Sequence, residues 1–163
     1  MVNNKDKRKK NIDFVTVNSF GSEWTRYDQS DLNYKEAEKY FDDYFDIFPW
    51  GLIDKNSVGF DMGCGTGRWA KLFANKVKTL NCIEPSIAIN VAKKNLANIK
   101  NACFIKGDTD NPGLEKDSQD FGYCLGVLHH IPNTQEALNS CVKLLKTGAP
   151  FLVYIYYFFD DKP

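Results

Sequence analysis

From Ser57 onward the chain alternates between two hydrophobic periods, and that alternation restricts the fold more than any other feature. Short apolar runs at 58–62, 79–84, 101–106, 120–125 and 150–157 read as strands. Between them, stretches at 67–76, 87–98 and 134–146 read as helices, and 108–119 reads as a polar loop. Strands that alternate with helices connect by right-handed crossovers, which gives a parallel sheet covered on both faces. The expectation is an α/β fold with a doubly wound sheet of about five strands.

Local signals agree with this pattern. The middle helix places Ala88, Val91, Ala92, Leu96 and Ile99 on one face, with Ser86 as its cap. The last helix places Leu138, Cys141, Val142 and Leu145 together, with Asn133 and Glu136 boxing its start and Gly148 ending it. Ahead of the sheet, Tyr34, Ala37, Phe41, Tyr44, Phe45 and Phe48 follow helical spacing, with Asn33 and Glu36 as a capping box and Pro49 as the stop. The segment "NSFGSEWTRYDQSD" before it is aromatic-rich and aperiodic. Three regions follow: a solvated basic tail at 1–12, an N-terminal lid segment and helix at 13–56, and the main domain at 57–163.

A chain of 163 residues holds one domain with a real core. Lys plus Arg and Asp plus Glu number 21 each, so the net charge is zero, and nucleic acid is demoted as a partner. The five cysteines contain no CxxC pair, which gives no zinc-ligand spacing and argues for a reducing cytoplasm. No apolar stretch approaches a membrane span, and the basic N-terminus lacks the apolar segment of a secretory signal.

The first strand of the main domain runs into "GFDMGCGTGRW", a turn with glycine at 63, 65 and 67. Such a turn between strand and helix lets a ligand lie on bare backbone, beyond the carboxyl end of the sheet. A dinucleotide fingerprint has the spacing GxGxxG; here it is GxGxG, and Arg68 stands where a dinucleotide fold has glycine. Asp61, just before the turn, suits a cationic group rather than a phosphate. Glu84 ends the second strand, where an acid can accept from both ribose hydroxyls, and Asp108 ends the third, placed for an exocyclic amine. Three acids at successive strand ends beside a glycine turn form a nucleoside site. A nicotinamide-binding oxidoreductase is the less favoured alternative.

The segments "FDMGCGTG", "CIEPS", "KGD", "DFGYCLGVLHHIPN" and "LLKTGAPFLVY" resemble, in order over about 58–157, the class I S-adenosylmethionine-dependent methyltransferases, especially the small-molecule group with a "GVLHHI" signature. The resemblance implies a Rossmann-like fold and S-adenosyl-L-methionine as cofactor, with S-adenosyl-L-homocysteine as product. It implies that Asp61 with Gly63, Cys64, Gly65, Thr66 and Gly67 faces the methionine part. Glu84 and Pro85 would take the ribose, Asp108 and Thr109 the adenine, and the backbone of Leu125 and Gly126 the methionyl end. Trp24 and Tyr27 would lie in a lid, where aromatic faces attract a sulfonium. His129 and His130, the only histidines, stand at the mouth as candidate bases or as scaffold. The branch that methylates amino groups of nucleic acids and proteins carries an Asn-Pro-Pro-Tyr-like tetrapeptide after strand four. Leu125-Gly126-Val127-Leu128 stands there instead, which points to a small-molecule acceptor.

Family domains continue past strand five into a helix and an antiparallel hairpin, whereas this sequence ends at "YIYYFFDDKP". Strand 150–157 is then expected as an apolar edge, covered by a second copy or by a segment missing from the sequence. A cofactor binder without turnover is the third reading.

Overall fold

The computed structural model describes residues 10–156. Helix α1 (Phe14–Arg26) and helix α2 (Tyr34–Phe45) precede the sheet. Then follow β1 (Val58–Met62), α3 (Ala70–Phe73), β2 (Thr79–Ile83), α4 (Ala88–Asn95), β3 (Ala102–Ile105), β4 (Phe121–Leu125), α5 (Thr134–Val142) and β5 (Phe151–Tyr154). All pairings are parallel and the strand order is β3-β2-β1-β4-β5. The order reverses at β1, between β2 and β4, and an open parallel sheet has its crevice at that point. Among the described residues β3 and β5 are the two edges, and no antiparallel strand is present.

Alternation along the strands divides the core in two. Leu80, Cys82, Phe121 and Tyr123 face a cluster with Phe41, Phe45 and Phe48 of the α2 segment, Phe73 of α3, and Ile89, Ala92 and Leu96 from the α4 segment. Phe60, Met62, Ile83 and Cys124 face the other side, against Leu128 and Ala137, Cys141 and Leu144 of the α5 segment. Both sheet faces are thereby covered, which is why the strands read as continuous apolar runs.

At the centre, Gly59 pairs with Phe121 and Phe60 with Gly122. A Cβ on Gly59 would lie 2.5 Å from the Phe121 ring, and one on Gly122 would lie 2.4 Å from the Phe60 ring. Each glycine makes room for the phenylalanine of the opposite strand.

The expected N-terminal caps form with adjustments, whereas α2 ends at Phe45 and α5 at Val142, short of the stops expected at Pro49 and Gly148. Asn133 Oδ1 accepts from the Glu136 N–H at 3.0 Å, and Ser86 Oγ accepts from the Ala88 N–H at 3.1 Å. Asn33 accepts from Lys35 rather than Glu36. The helix expected over 67–76 is one α-turn followed by a 3-10 turn. Val142, expected on the buried face of α5, is 50% exposed, because the chain there leaves the helix for the β5 connection.

Two departures lie at the N-terminus. Residues 14–26, expected to be largely irregular, form α1, capped by the Asp13 carboxylate accepting from Val15. Asn11, assigned to the solvated tail, is buried, while residues 1–9 lie outside the described residues. Its side chain donates to the Asn133 carbonyl and accepts from the Asn133 N–H, both at 2.8 Å, and its own N–H donates to Asp110 Oδ2 at 2.7 Å. The far end of α1 is tied as well. The Asn95 side chain donates to the Asp28 carbonyl at 2.8 Å, and Lys94 pairs with Asp28 at 3.1 Å.

Gly122→Ala is expected to destabilise the protein by about 1–3 kcal/mol or more, since Phe60 is fully buried and its ring must move. Urea denaturation of the variant against the parent, and against Gly51→Ala, whose added Cβ meets nothing within 4 Å on backbone outside the left-handed region, checks this.

Candidate functional site

Beyond the carboxyl ends of β1, β2, β3 and β4 lies a cavity of about 1050 Å³, its open mouth included. Its floor is the glycine turn. The N–H groups of Gly63 and Cys64 both donate to the Ile83 carbonyl, at 2.8 and 3.0 Å, so the turn is pinned to the end of β2. Gly63, Gly65 and Gly67 all have positive φ (81°, 53° and 79°), the left-handed region where a side chain is strained.

The three glycines have different neighbours. A Cβ on Gly63 would meet Val127 at 2.5 Å, and one on Gly67 would meet Leu96 at 2.7 Å, so these positions serve close packing. At Gly65 the nearest atoms to such a Cβ belong to the Trp24 indole, whose Nε1 would lie 3.5 Å away. Gly65 is therefore the bare stretch of backbone facing the cavity, and Gly67 does not line it.

Glu84 is buried at the tip of β2, and its two carboxylate oxygens accept from the N–H groups of Gly65 (3.1 Å) and Ser86 (3.0 Å). Asp108 Oδ1 accepts from the N–H groups of Asp110 and Asn111, which shapes the loop after β3. Glu84, Pro85, Asp108 and Thr109 line the cavity together, as do Cys64, Thr66, Leu125 and Gly126. The sequence expectation thus gathers in one place from four strand ends.

Asp61 stands apart from the lining. It is 2% exposed behind the turn, and its Oδ2 has no hydrogen-bond partner among the described residues. Burial pushes its carboxyl up to about 8, against the nearby Tyr123 hydroxyl, which favours the charged form; Glu84 raises it further and Arg68 lowers it. The Tyr123 oxygen also lacks a partner among the described residues, so the two groups are neighbours without a formed hydrogen bond.

The lid expectation divides. Trp24 lies over Gly65, with Phe20 stacked beside it at 6.5 Å between ring centroids. Tyr27 is 59% exposed and outside the cavity, with the Arg26 guanidinium 5.5 Å from its ring. The histidines divide too. His130 lines the cavity against Phe20, with ring centroids 4.8 Å apart, whereas His129 packs on Tyr156 at 4.6 Å and does not line it. Burial holds both imidazoles below their ordinary value, and His130 lowers His129 further, so both are neutral at pH 7.

Two polar contributors to the site carried no recognisable sequence signal. Gln29, in the left-handed region at φ 57°, accepts from the Thr66 hydroxyl at 2.7 Å. Asn11 reaches the cavity wall across more than a hundred residues of sequence.

Asp61 sets a testable pH dependence. Its ordinary value is 3.8 and its folded value about 8, so between these pH values the unfolded chain has lost a proton that the folded chain keeps. Stability of the ligand-free protein is expected to fall as pH rises from about 4 to 8, and Asp61→Asn to flatten that fall. Urea midpoints across this range measure it.

Known proteins can be set beside this geometry. The Methyltransferase domain family matches residues 60–153. An uncharacterized RNA methyltransferase of Clostridium acetobutylicum is 31% identical over 127 residues, covering 76% of this chain and 26% of that protein. A ubiquinone biosynthesis O-methyltransferase of Coxiella burnetii is 30% identical over 95 residues, covering 54% of this chain and 38% of that one. The chain thus spans about a quarter to two fifths of the length of these relatives. The crystal structure of a SAM-dependent methyltransferase from Aquifex aeolicus superposes with a TM-score of 0.65 at 17% identity, covering 88% of this chain and 77% of that one. Among the described residues no helix is long and apolar enough to cross a membrane. The match over 60–153, which runs from β1 through β5 and includes the glycine turn, Glu84 and Asp108, shows that this chain belongs to the methyltransferase domain family.

Proposed function

We propose that the cavity holds S-adenosyl-L-methionine and that the protein transfers its methyl group to a small-molecule acceptor. The observation that carries this reading is the convergence of bare backbone at Gly65 with Glu84 and Asp108 at neighbouring strand ends. The residues fit such a group: Asp61 keeps an unpartnered buried oxygen behind the turn, and at Gly65 no side chain stands between the backbone and the Trp24 indole. Glu84 and Pro85 would hold the ribose, Asp108 and Thr109 the adenine, and the Leu125–Gly126 backbone the methionyl end. When bound, the cofactor supplies an activated methyl on a sulfonium with an excellent leaving group.

The chain's own part is then alignment and exclusion of water. Phe20 and Trp24 close the cavity from the α1 side and present aromatic faces to a cation. His130, neutral and at the mouth, can take a proton from an acceptor hydroxyl where the acceptor has one to lose. His129, packed against Tyr156, orients the neighbouring ring rather than reaching the acceptor.

A small molecule is favoured over nucleic acid by the zero net charge and by the aromatic, recessed character of the cavity. We place the activity in the cytoplasm, on the strength of free cysteines without a disulfide framework.

Calorimetry with S-adenosyl-L-homocysteine tests the reading. Binding is expected in the wild type, with Glu84→Gln weakening it about tenfold or more through loss of a charged acceptor. Preference for NAD over S-adenosyl-L-homocysteine would identify an oxidoreductase instead. Transfer of labelled methyl to RNA but not to phenolic or amine small molecules would overturn the acceptor class.

A further inference from the structure

Resting on the methyl-transfer reading of the cavity, we propose that Arg68 anchors an anionic group of the methyl acceptor, in a subsite walled by Tyr44, Trp69, Tyr154 and Tyr156. Arg68 follows the glycine turn directly and lines the cavity. It is half-buried, yet it forms no ion pair and donates no hydrogen bond to any described residue. Its guanidinium lies over the face of Trp69, 4.2 Å from guanidinium carbon to ring centroid. A guanidinium stays charged, and withdrawing that charge from water without a partner is unfavourable. Burial accordingly lowers its proton affinity, and Tyr44, Tyr156 and Asp61 are the groups near enough to oppose that effect. Five N–H donors in a rigid fork are thus left facing a cavity, a geometry matched by a carboxylate held bidentately.

The aromatic wall continues from that fork. Ring centroids lie 4.8 Å apart for Trp69 and Tyr44, 4.9 Å for Tyr44 and Tyr154, and 5.3 Å for Tyr154 and Tyr156. Tyr154 and Tyr156 are exposed although they carry large apolar rings. The Tyr156 hydroxyl stands 3.9 Å from where a Cβ of Gly126 would be, so the wall adjoins the turn proposed for the methionyl end.

The strand order separates acceptor from cofactor. Glu84 and Asp108 mark the adenosine side, at the tips of β2 and β3. Tyr154 and Tyr156 belong to β5 and the residues after it, at the opposite edge of the sheet and past β4. A molecule lying along this wall is beyond the methionyl end, where a methyl acceptor must sit. Arg68 also borders a second groove, beside Lys71.

The test titrates benzoate, phenylacetate and their uncharged amides into wild-type protein, both free and saturated with S-adenosyl-L-homocysteine. At least one carboxylate is expected to bind about tenfold tighter than its amide. Arg68→Gln is expected to abolish that preference and Arg68→Lys to keep part of it, with affinities for S-adenosyl-L-homocysteine and 5′-methylthioadenosine unchanged within about twofold. Absence of any carboxylate preference in the wild type, or its persistence in Arg68→Gln, would overturn the assignment. So would an Arg68→Gln variant that loses S-adenosyl-L-homocysteine affinity but keeps that for 5′-methylthioadenosine, since Arg68 would then hold the cofactor's own carboxylate. If the wild type binds neither nucleoside, the methyl-transfer reading fails separately, and the carboxylate preference of the free protein still decides the role of Arg68.

Discussion

The carboxylate of Glu84 is the joint on which the site is assembled. One oxygen accepts from Gly65 in the first turn and the other from Ser86 in the second, so one side chain fixes the distance between two strand–helix connections. Burial at the tip of β2 shields these bonds from competing water. The strand pairing below makes the joint possible. β1 lies between β2 and β4, and the Ile83 carbonyl holds Gly63 and Cys64 just before the turn opens. The left-handed conformations of the turn are kept in place by these contacts together.

Much of this was legible in the sequence, because each element that mattered carried a local signal. The strands of a sheet covered on both faces read as apolar runs, and all five form, with shorter boundaries. The acids at 61, 84 and 108 stood out because each ended an apolar run, a position that has meaning only in a parallel sheet. Asn133 and Ser86 cap as their residue types and positions suggest.

The misses share a physical cause: they depend on partners far away in sequence. Helix α1 hides its period because its inner side meets a cavity and another helix rather than a dry core, and Gly21 is its one buried residue. A Cβ on Gly21 would lie 2.9 Å from the Ser86 side chain, so this glycine allows a close helix crossing where a sequence reading finds only a helix breaker. Asn11, Gln29 and Arg68 gain their roles from what they face across the fold, and an asparagine, a glutamine or an arginine announces nothing by itself. The same holds for Tyr27 and Trp24, two aromatics three residues apart on one segment. Position on the helix puts one over the glycine turn and leaves the other in water.

The tie between Asn11 and Asn133 has a consequence for how the molecule is made. The two residues are 122 positions apart, and Asn11 meets Asp110 across 99. Contacts at such separation carry the loop-closure cost of the whole intervening chain. Helix α1 is translated before every surface that receives it: the α4 segment that holds its far end, and later the 128–133 segment that meets Asn11 and Phe20. Until residues 128–133 follow, Asn11 and the ring of Phe20 lack these partners. The α1 wall of the cavity is therefore translated before the segments that hold it in place.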